Sequence, residues 1–174
     1  MNQSKILVTY ASRTGWTVGV AEAIGKVLAE GGATVAVRPM QEVGDLSSYD
    51  AVVAGSAIQN NQWLAEAVQF VQTHRAELSS KPFAAFLVCL TLAMRNGESY
   101  RPMVNEFMAP IRALVRPVSE GCFAGGLEIR RIPSAVKRFN FRLSVLFGIW
   151  KEGDHRDWAA IQAWARDLRH KLAA

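Results

Sequence analysis

A turn rich in hydroxyl groups follows the first apolar segment of the chain. A segment with helical spacing comes after it, at 18–29. The N–H groups in the first turn of a helix have no partner within the helix, and with the helix dipole they favour an anion. Hydroxyl groups donate to phosphate oxygens, and a glycine lets the backbone come close. The turn therefore predicts a phosphate site; the alternative is that Ser12 or Thr14 only caps the helix. The turn reads Ser12-Arg13-Thr14-Gly15-Trp16-Thr17.

Signatures of other anion-binding proteins are absent at this position. The turn contains neither G-x-G-x-x-G of dinucleotide-binding folds nor G-x-x-x-x-G-K-[ST] of nucleotide hydrolases. A phosphate-accepting receiver domain needs carboxylates at its strand ends, whereas the first and third strands here end in Ala11-Ser12 and Gly55-Ser56. His155 has no second His or Cys at ligand spacing, so we predict no metal site.

Three further turns follow predicted strands and belong to the same candidate site. Ligands of open parallel sheets bind where the carboxyl ends of the strands meet. Trp63, close to the second turn, either covers a planar ligand or packs within its own domain. The residues of interest are Ser56-Ala57-Ile58-Gln59-Asn60 after the third strand, Thr91-Leu92-Ala93 after the fourth, and Gly125-Gly126 in the fifth.

The elements that must position these turns alternate between strand and helix. The strands are apolar on both faces, which indicates that helices cover both sides of a parallel sheet. We predict one α/β domain over 1–174, a three-layer α/β/α sandwich around a five-stranded parallel sheet. Pro110 should kink or divide the third helix. The predicted strands are 5–10, 34–37, 50–55, 82–92 and 118–129, and the predicted helices are 18–29, 62–78, 98–115 and 154 or 157 to about 172.

The net charge of +5 is concentrated in the second half of the chain. Residues 81–174 carry 15 basic and 8 acidic groups, and no acid lies between Ile129 and Lys151. This asymmetry favours an anionic partner. We call residues 130–152 the insert, because they precede the final helix as an extra segment. Its apolar side suits an anionic bilayer, packing on the sheet, or a homodimer contact. That side comprises Val136, Phe139, Leu143, Leu146 and Trp150.

Composition excludes several classes of protein. Half of the 174 residues are hydrophobic, which is typical of a folded domain and not of a disordered chain. The longest apolar run, 82–94, is too short for a membrane-spanning helix. Two cysteines do not make a disulfide framework, so we expect a cytoplasmic protein, with peripheral contact to the inner face of the cell membrane through the insert. No aromatic-rich nucleic-acid motif is present, and we expect no nucleic acid partner.

The first turn resembles the phosphate loop of the flavodoxin family. That loop has the pattern [ST]-x-T-G-x-T, and residues 12–17 match every fixed position. The resemblance extends from Lys5 to the last helix and implies the strand order 2-1-3-4-5. It also implies FMN as the cofactor, with its ring against the other three turns. The cofactor-binding residues so implied are Ser12, Arg13, Thr14, Gly15, Trp16, Thr17, Ser56, Ala57, Ile58, Gln59, Asn60, Thr91, Leu92, Ala93, Gly125 and Gly126.

Within that family the chain is similar to the menaquinone-dependent protoporphyrinogen oxidases. The shared features are the overall length, Arg13 in the first turn, a basic aromatic insert, and Asp157-Trp158 before the final helix. The resemblance implies a flavin-dependent dehydrogenase that oxidises a small-molecule substrate, a porphyrinogen, and passes electrons to a quinone or a redox partner. It assigns no catalytic side chain. The alternatives are an electron-transfer flavodoxin and a non-catalytic binding module.

Overall fold

The fold is known from a computed structural model that describes residues 4–172. Short connections join the elements, as is usual in α/β domains. In chain order the elements are β1 (Lys5–Ala11), α1 (Trp16–Glu30), β2 (Thr34–Pro39), β3 (Ala51–Gln59), β4 (Gln62–Trp63), α2 (Ala65–Thr73), α3 (Arg75–Ser79), β5 (Phe83–Cys89), α4 (Arg101–Glu106), α5 (Ala109–Leu114), β6 (Ser119–Ala124), β7 (Gly126–Leu127), α6 (Ala135–Leu146), β8 (Gly153–Asp154) and α7 (Trp158–Leu172).

Five parallel strands form the central sheet in the order β2-β1-β3-β5-β6. Counted as the five main strands, this is the predicted order 2-1-3-4-5, and the prediction of a three-layer sandwich is confirmed. The short β4 adds an antiparallel partner at the end of β3. The order reverses between β1 and β3, so the ends of these two strands flank the place where ligands of such sheets bind.

Each face of the sheet is covered by its own hydrophobic cluster. Side chains alternate along β1, so Leu7 packs on one face while Ile6 and Val8 pack on the other. Helices α2 and α5 contribute to the first cluster, and α1 and α7 contribute to the second. Burial on both sides is the physical reason that the strands have no polar alternation.

The ends of two strands differ from the prediction. Strand β3 runs to Gln59 and turns back into β4 through Asn60 and Asn61, whose φ angles of 50° and 61° suit a tight hairpin turn. Strand β5 ends at Cys89 and not at Leu92, because residues 90–93 form a 3₁₀ turn. Leu92 is apolar because it is buried in the core, and not because it continues the strand.

Two long helices expected from the sequence are divided. Pro110 lies near the start of α5, and the segment 98–115 separates there into α4 and α5, as predicted. The segment 62–78 begins with β4 and then divides at His74 into α2 and α3. The fifth main strand stops at Ala124, and β7 turns away from the sheet to pair with β8.

The insert forms α6, whose outer face is open to solvent. Val136, Phe139 and Leu146 are 61–78% exposed, whereas Phe141 packs inward against Trp150 with ring centroids 6.2 Å apart. The prediction that Trp150 lies on the same apolar side as Val136 and Phe139 is wrong, because the helix ends at Leu146 and the chain then folds back. Among residues 4–172, the helices lack the combination of length and apolar character needed to cross a membrane.

Candidate functional site

A cleft of about 590 Å³ lies at the edge of the sheet where β1, β3, β5 and β6 end. Its volume is within the range of cofactor and small-molecule sites. Residues of the insert form part of its wall, so the cleft is bounded by strand ends and by α6. The predicted site residues that line it are Arg13, Thr14, Trp16, Thr17, Ala57, Ile58, Gln59, Asn60, Thr91, Gly125 and Gly126.

The other five predicted residues lie outside the lining of this cleft. Ser12 and Gly15 border a separate cavity of about 160 Å³. Ser56 is buried, and its hydroxyl accepts a hydrogen bond from the Leu64 N–H at 3.0 Å. Leu92 is buried in the core and Ala93 is half-buried in the 3₁₀ turn.

The first turn leaves the start of α1 open. Gly15 has a φ of 88°, a left-handed conformation that favours glycine, and the Ser12 hydroxyl accepts a hydrogen bond from its N–H at 3.1 Å. Within residues 4–172, no side chain caps the first turn of α1, and that turn contains no acidic residue. The alternative that Ser12 or Thr14 caps the helix is therefore not what the structure shows. The first N–H groups of α1 remain suited to an external acceptor.

Thr17 carries a buried hydroxyl that has no partner. The residue is 1% exposed and lines the cleft, and its Oγ1 makes no hydrogen bond within the described chain. An unpaired buried hydroxyl costs about 1–3 kcal/mol. This hydroxyl, beside a helix N-terminus, is available to an acceptor from outside the protein.

Arg13 pairs with Glu66 at the start of α2. Both terminal nitrogens of its guanidinium group donate to the carboxylate, and the Nη2–Oε2 distance is 2.9 Å. Partial burial, the largest single influence, raises the pKa of Glu66, but the hydrogen bonds and charge of Arg13 together with a backbone hydrogen bond outweigh it, so this pKa lies below its usual range. The charge of Arg13 is therefore balanced by a carboxylate of the protein.

Arg131 links the insert to the first turn. Its Nη1 donates to the Thr14 carbonyl at 3.3 Å, and its guanidinium lies 5.3 Å from the centre of the Trp16 ring. The same guanidinium forms an ion pair with Glu128. Arg131 therefore holds the backbone of the turn while its charge is balanced, as with Arg13.

Arg156 lies between two tryptophan rings. Its guanidinium is 4.8 Å from the centre of the Trp16 ring and 4.3 Å from that of Trp158. It donates to the Trp16 carbonyl at 3.2 Å and to both carboxylate oxygens of Asp154 at 2.7 and 2.8 Å. The hydrogen bonds from Arg156 hold the pKa of Asp154 below its usual range. This cluster attaches the segment before α7 to the first turn of α1.

Gly126 makes the close approach between β7 and the first turn possible. A side chain carbon at this position would lie 2.6 Å from the Trp16 ring, so only glycine fits without displacement. Gly126 also pairs with Asp154 in the β7–β8 ladder, next to Arg156. Trp16 is thus held between β7 and Arg156, which fixes the entrance to α1.

The insert supplies residues to the cleft that the sequence did not predict. They include Ser134, Lys137, Asn140, Phe141 and Trp150. The Ser134 hydroxyl accepts the Lys137 N–H at 3.4 Å and caps α6, which brings the first turns of this helix to the cleft. The only local signal for these residues in the sequence was Ser134 followed by a basic segment without acids. The positions of the insert, Arg131 and Arg156 do not follow from residue spacing. Arg131 is 117 positions from the carbonyl that it contacts in the first turn, and Arg156 is 140 positions from its own.

The predictions for Trp63 and for the two cysteines can be compared with the structure. Trp63 is 4% exposed in β4 and packs in the core, so the alternative that it packs within its own domain is confirmed. Cys89 is buried at the end of β5, where it lines the cleft, and it is not bonded to Cys122. Burial raises the pKa of Cys122 to about 11, which keeps this thiol protonated at neutral pH.

Comparison with known proteins identifies the framework around this cleft. A family model described as a flavodoxin domain matches residues 7–146. Two solved structures show the same fold: a flavodoxin from the domain Archaea, with a TM-score of 0.59 and 19% identity over 98% of this chain and 99% of that chain, and flavodoxin 2 from Bacillus cereus, with a TM-score of 0.53 and 18% identity over 98% of both.

Two curated relatives are enzymes by name. Protoporphyrinogen IX dehydrogenase [quinone] of Escherichia coli strain K12 is 26% identical over 175 residues, which cover 95% of each chain. The protein of the same name from Leishmania major is 26% identical over 182 residues, covering 94% of this chain and 74% of the relative. Both matches are long enough to include the whole insert. Because the family model spans most of the sheet and the whole of the first turn, the chain belongs to the flavodoxin-domain family.

Proposed function

We propose that this protein binds FMN in the cleft and oxidises protoporphyrinogen, with a quinone as electron acceptor. The observation that carries the cofactor assignment is the buried Thr17 hydroxyl without a partner, beside the uncapped start of α1. The substrate and acceptor are inferred from the names of the relatives in Escherichia coli and Leishmania major.

The residues of the first turn fit the phosphate of FMN. The Thr17 hydroxyl and the first N–H groups of α1 offer hydrogen bonds that the protein itself does not use. Arg13 and Arg131 are already paired with carboxylates, so neutral donors and the helix dipole would hold the phosphate. This arrangement binds an anion without a buried, unpaired cation.

The remaining walls of the cleft fit a planar ring. Residues 57–60 and 88–91 approach from the ends of β3 and β5, and Gly125-Gly126 adds a third wall without side chains. Bound FMN would supply acceptance of a hydride equivalent, and the protein must orient the reactants and exclude water. Leu127 and Phe141 are suited to exclusion of water, because they present apolar surface to the cleft.

The outer face of α6 is suited to meet an anionic bilayer, in which a quinone dissolves. Exposed Val136, Phe139 and Leu146 stand beside Arg138 and Arg142 on the same helix. We expect the protein to co-sediment with vesicles that contain anionic lipid, and Arg138→Glu with Arg142→Glu to abolish most of this binding. Arg95→Glu with Arg116→Glu, which changes two exposed charges outside the insert, is the matched control. Equal loss of binding in both double variants would contradict the proposal.

Turnover provides the decisive experiment. Protein loaded with FMN should convert protoporphyrinogen IX to fluorescent protoporphyrin in the absence of oxygen when menadione is added. The quinol form of menadione should appear at the same time. The conversion removes six electrons and six protons in three two-electron oxidations, so three quinones are reduced to quinols for each protoporphyrin formed. FMN without protein is the control. Colourless protein that does not bind FMN would refute the cofactor assignment. Reduction of a redox partner protein without porphyrinogen turnover would support an electron carrier instead.

A further inference from the structure

Lys137 is a cation of the cleft that no carboxylate balances. Of the other basic groups at or beside the cleft, Arg13 pairs with Glu66 and Arg131 pairs with Glu128. Within residues 4–172, the Lys137 side chain has neither an ion pair nor a hydrogen bond. A free ammonium group on the wall of a binding cleft favours an anionic group on the ligand.

The surroundings of Lys137 combine one charge with apolar surface. Asn140 and Phe141 lie on the same side of α6 and line the cleft with it, and the rings of Phe141 and Trp150 pack together. Leu127 and Ile132, which are buried beneath them, complete an apolar wall. An apolar macrocyclic ligand that carries a carboxylate at its edge would match both features at once.

We propose that Lys137 binds a carboxylate of the substrate and so selects a carboxylate-bearing, apolar macrocycle. The proposal rests on the function proposed above, since protoporphyrinogen is a substrate of this chemical class. The ring would lie on Phe141 and Trp150, and Asn140 would donate a second hydrogen bond to the carboxylate. Lys137 is thus a specificity-determining residue, supplied by the insert and not by the sheet.

The experiment compares the free acid with its dimethyl ester, which keeps the ring and removes the charge. With FMN-loaded protein, Lys137→Met should raise KM for protoporphyrinogen IX by about tenfold, the scale of one hydrogen bond to a charged group. It should leave KM for the dimethyl ester and both kcat values within about twofold. Lys151→Met removes an exposed lysine of the insert outside the cleft and should change neither KM.

Binding provides a second readout that does not depend on turnover. Quenching of tryptophan fluorescence should show that Lys137→Met weakens protoporphyrin IX binding while its dimethyl ester binds as before. Equal effects on acid and ester would overturn the proposal, and so would a wild-type protein that binds neither. A loss of FMN affinity in Lys137→Met would also overturn it, because Lys137 would then serve the cofactor phosphate. If wild-type protein binds the acid through Lys137 but does not oxidise the porphyrinogen, only the proposed function fails.

Discussion

Thr17→Val should weaken FMN binding and at the same time stabilise the protein without FMN. Valine has the shape of threonine, so the packing of the buried side chain is kept while the hydroxyl is removed. Loss of one hydrogen bond to the charged phosphate costs about 1.5–3 kcal/mol, which is roughly a tenfold to hundredfold loss of affinity. Without FMN, the change removes an unpaired buried polar group and should raise the free energy of unfolding by about 1 kcal/mol.

Thr9→Val is the matched control for this prediction. Thr9 lies in β1, is fully buried and also has a hydroxyl without a partner, but it does not line the cleft. We expect it to stabilise the protein as Thr17→Val does, and to leave FMN affinity unchanged. Flavin fluorescence titration and urea unfolding measure the two quantities. Equal FMN affinity in both variants would show that Thr17 does not contact the phosphate.

Arg156→Met should have the second largest effect, on both stability and FMN binding. The substitution removes the two hydrogen bonds to Asp154, the bond to the Trp16 carbonyl and the contacts with two tryptophan rings. Because the Arg156 side chain is only 13% exposed, we expect a loss of about 2–3 kcal/mol in the free energy of unfolding. Release of Trp16 should lower FMN affinity by roughly tenfold, the scale typical of supporting residues.

Arg169→Met separates a general loss of stability from a specific loss at the site. Arg169 also joins α7 to α1, but at the other end of the helix, where its Nε donates to the Val27 carbonyl at 3.0 Å and its side chain packs on Gly31. It should destabilise the fold without changing FMN affinity at temperatures where the variant is folded. Calorimetry and flavin titration at one temperature test both variants. An equal loss of FMN affinity in Arg169→Met would refute a specific role of Arg156.

The sequence was sufficient for the framework, because the framework depends on local patterns. Apolar strands without polar alternation predicted the parallel sheet, and the order of strands is as expected from the resemblance. The ends of the strands could not be predicted from apolar character alone. Leu92, for example, is apolar because it is buried in a 3₁₀ turn, and it does not pair in a strand. The hairpin after β3 had a local signal in Asn60-Asn61, whose side chains tolerate a positive φ.

The periphery of the candidate site could not be derived from the sequence in the same way. Arg13 has a carboxylate partner 53 positions away, and no spacing rule predicts such a pair. Arg156 reaches the first turn only because β7 and β8 pair and bring Asp154 beside Gly126. Lys137 can be recognised as an unpaired charge only when the carboxylate partners of the neighbouring arginines are known. These are properties of tertiary contact, not of composition.

The pairing of β7 with β8 has a consequence for how such a protein diversifies. Gly126 and Leu127 lie opposite Asp154 and Gly153, so the chain leaves the five-stranded framework and returns to it through one short ladder. Evolution can therefore lengthen, shorten or exchange the intervening loop without altering the register of the five main strands. On the function proposed above, the intervening segment would carry recognition of the reactants, and the turns of the sheet would carry binding of the nucleotide. A transplanted segment would then bring the first property to a host that already has the second.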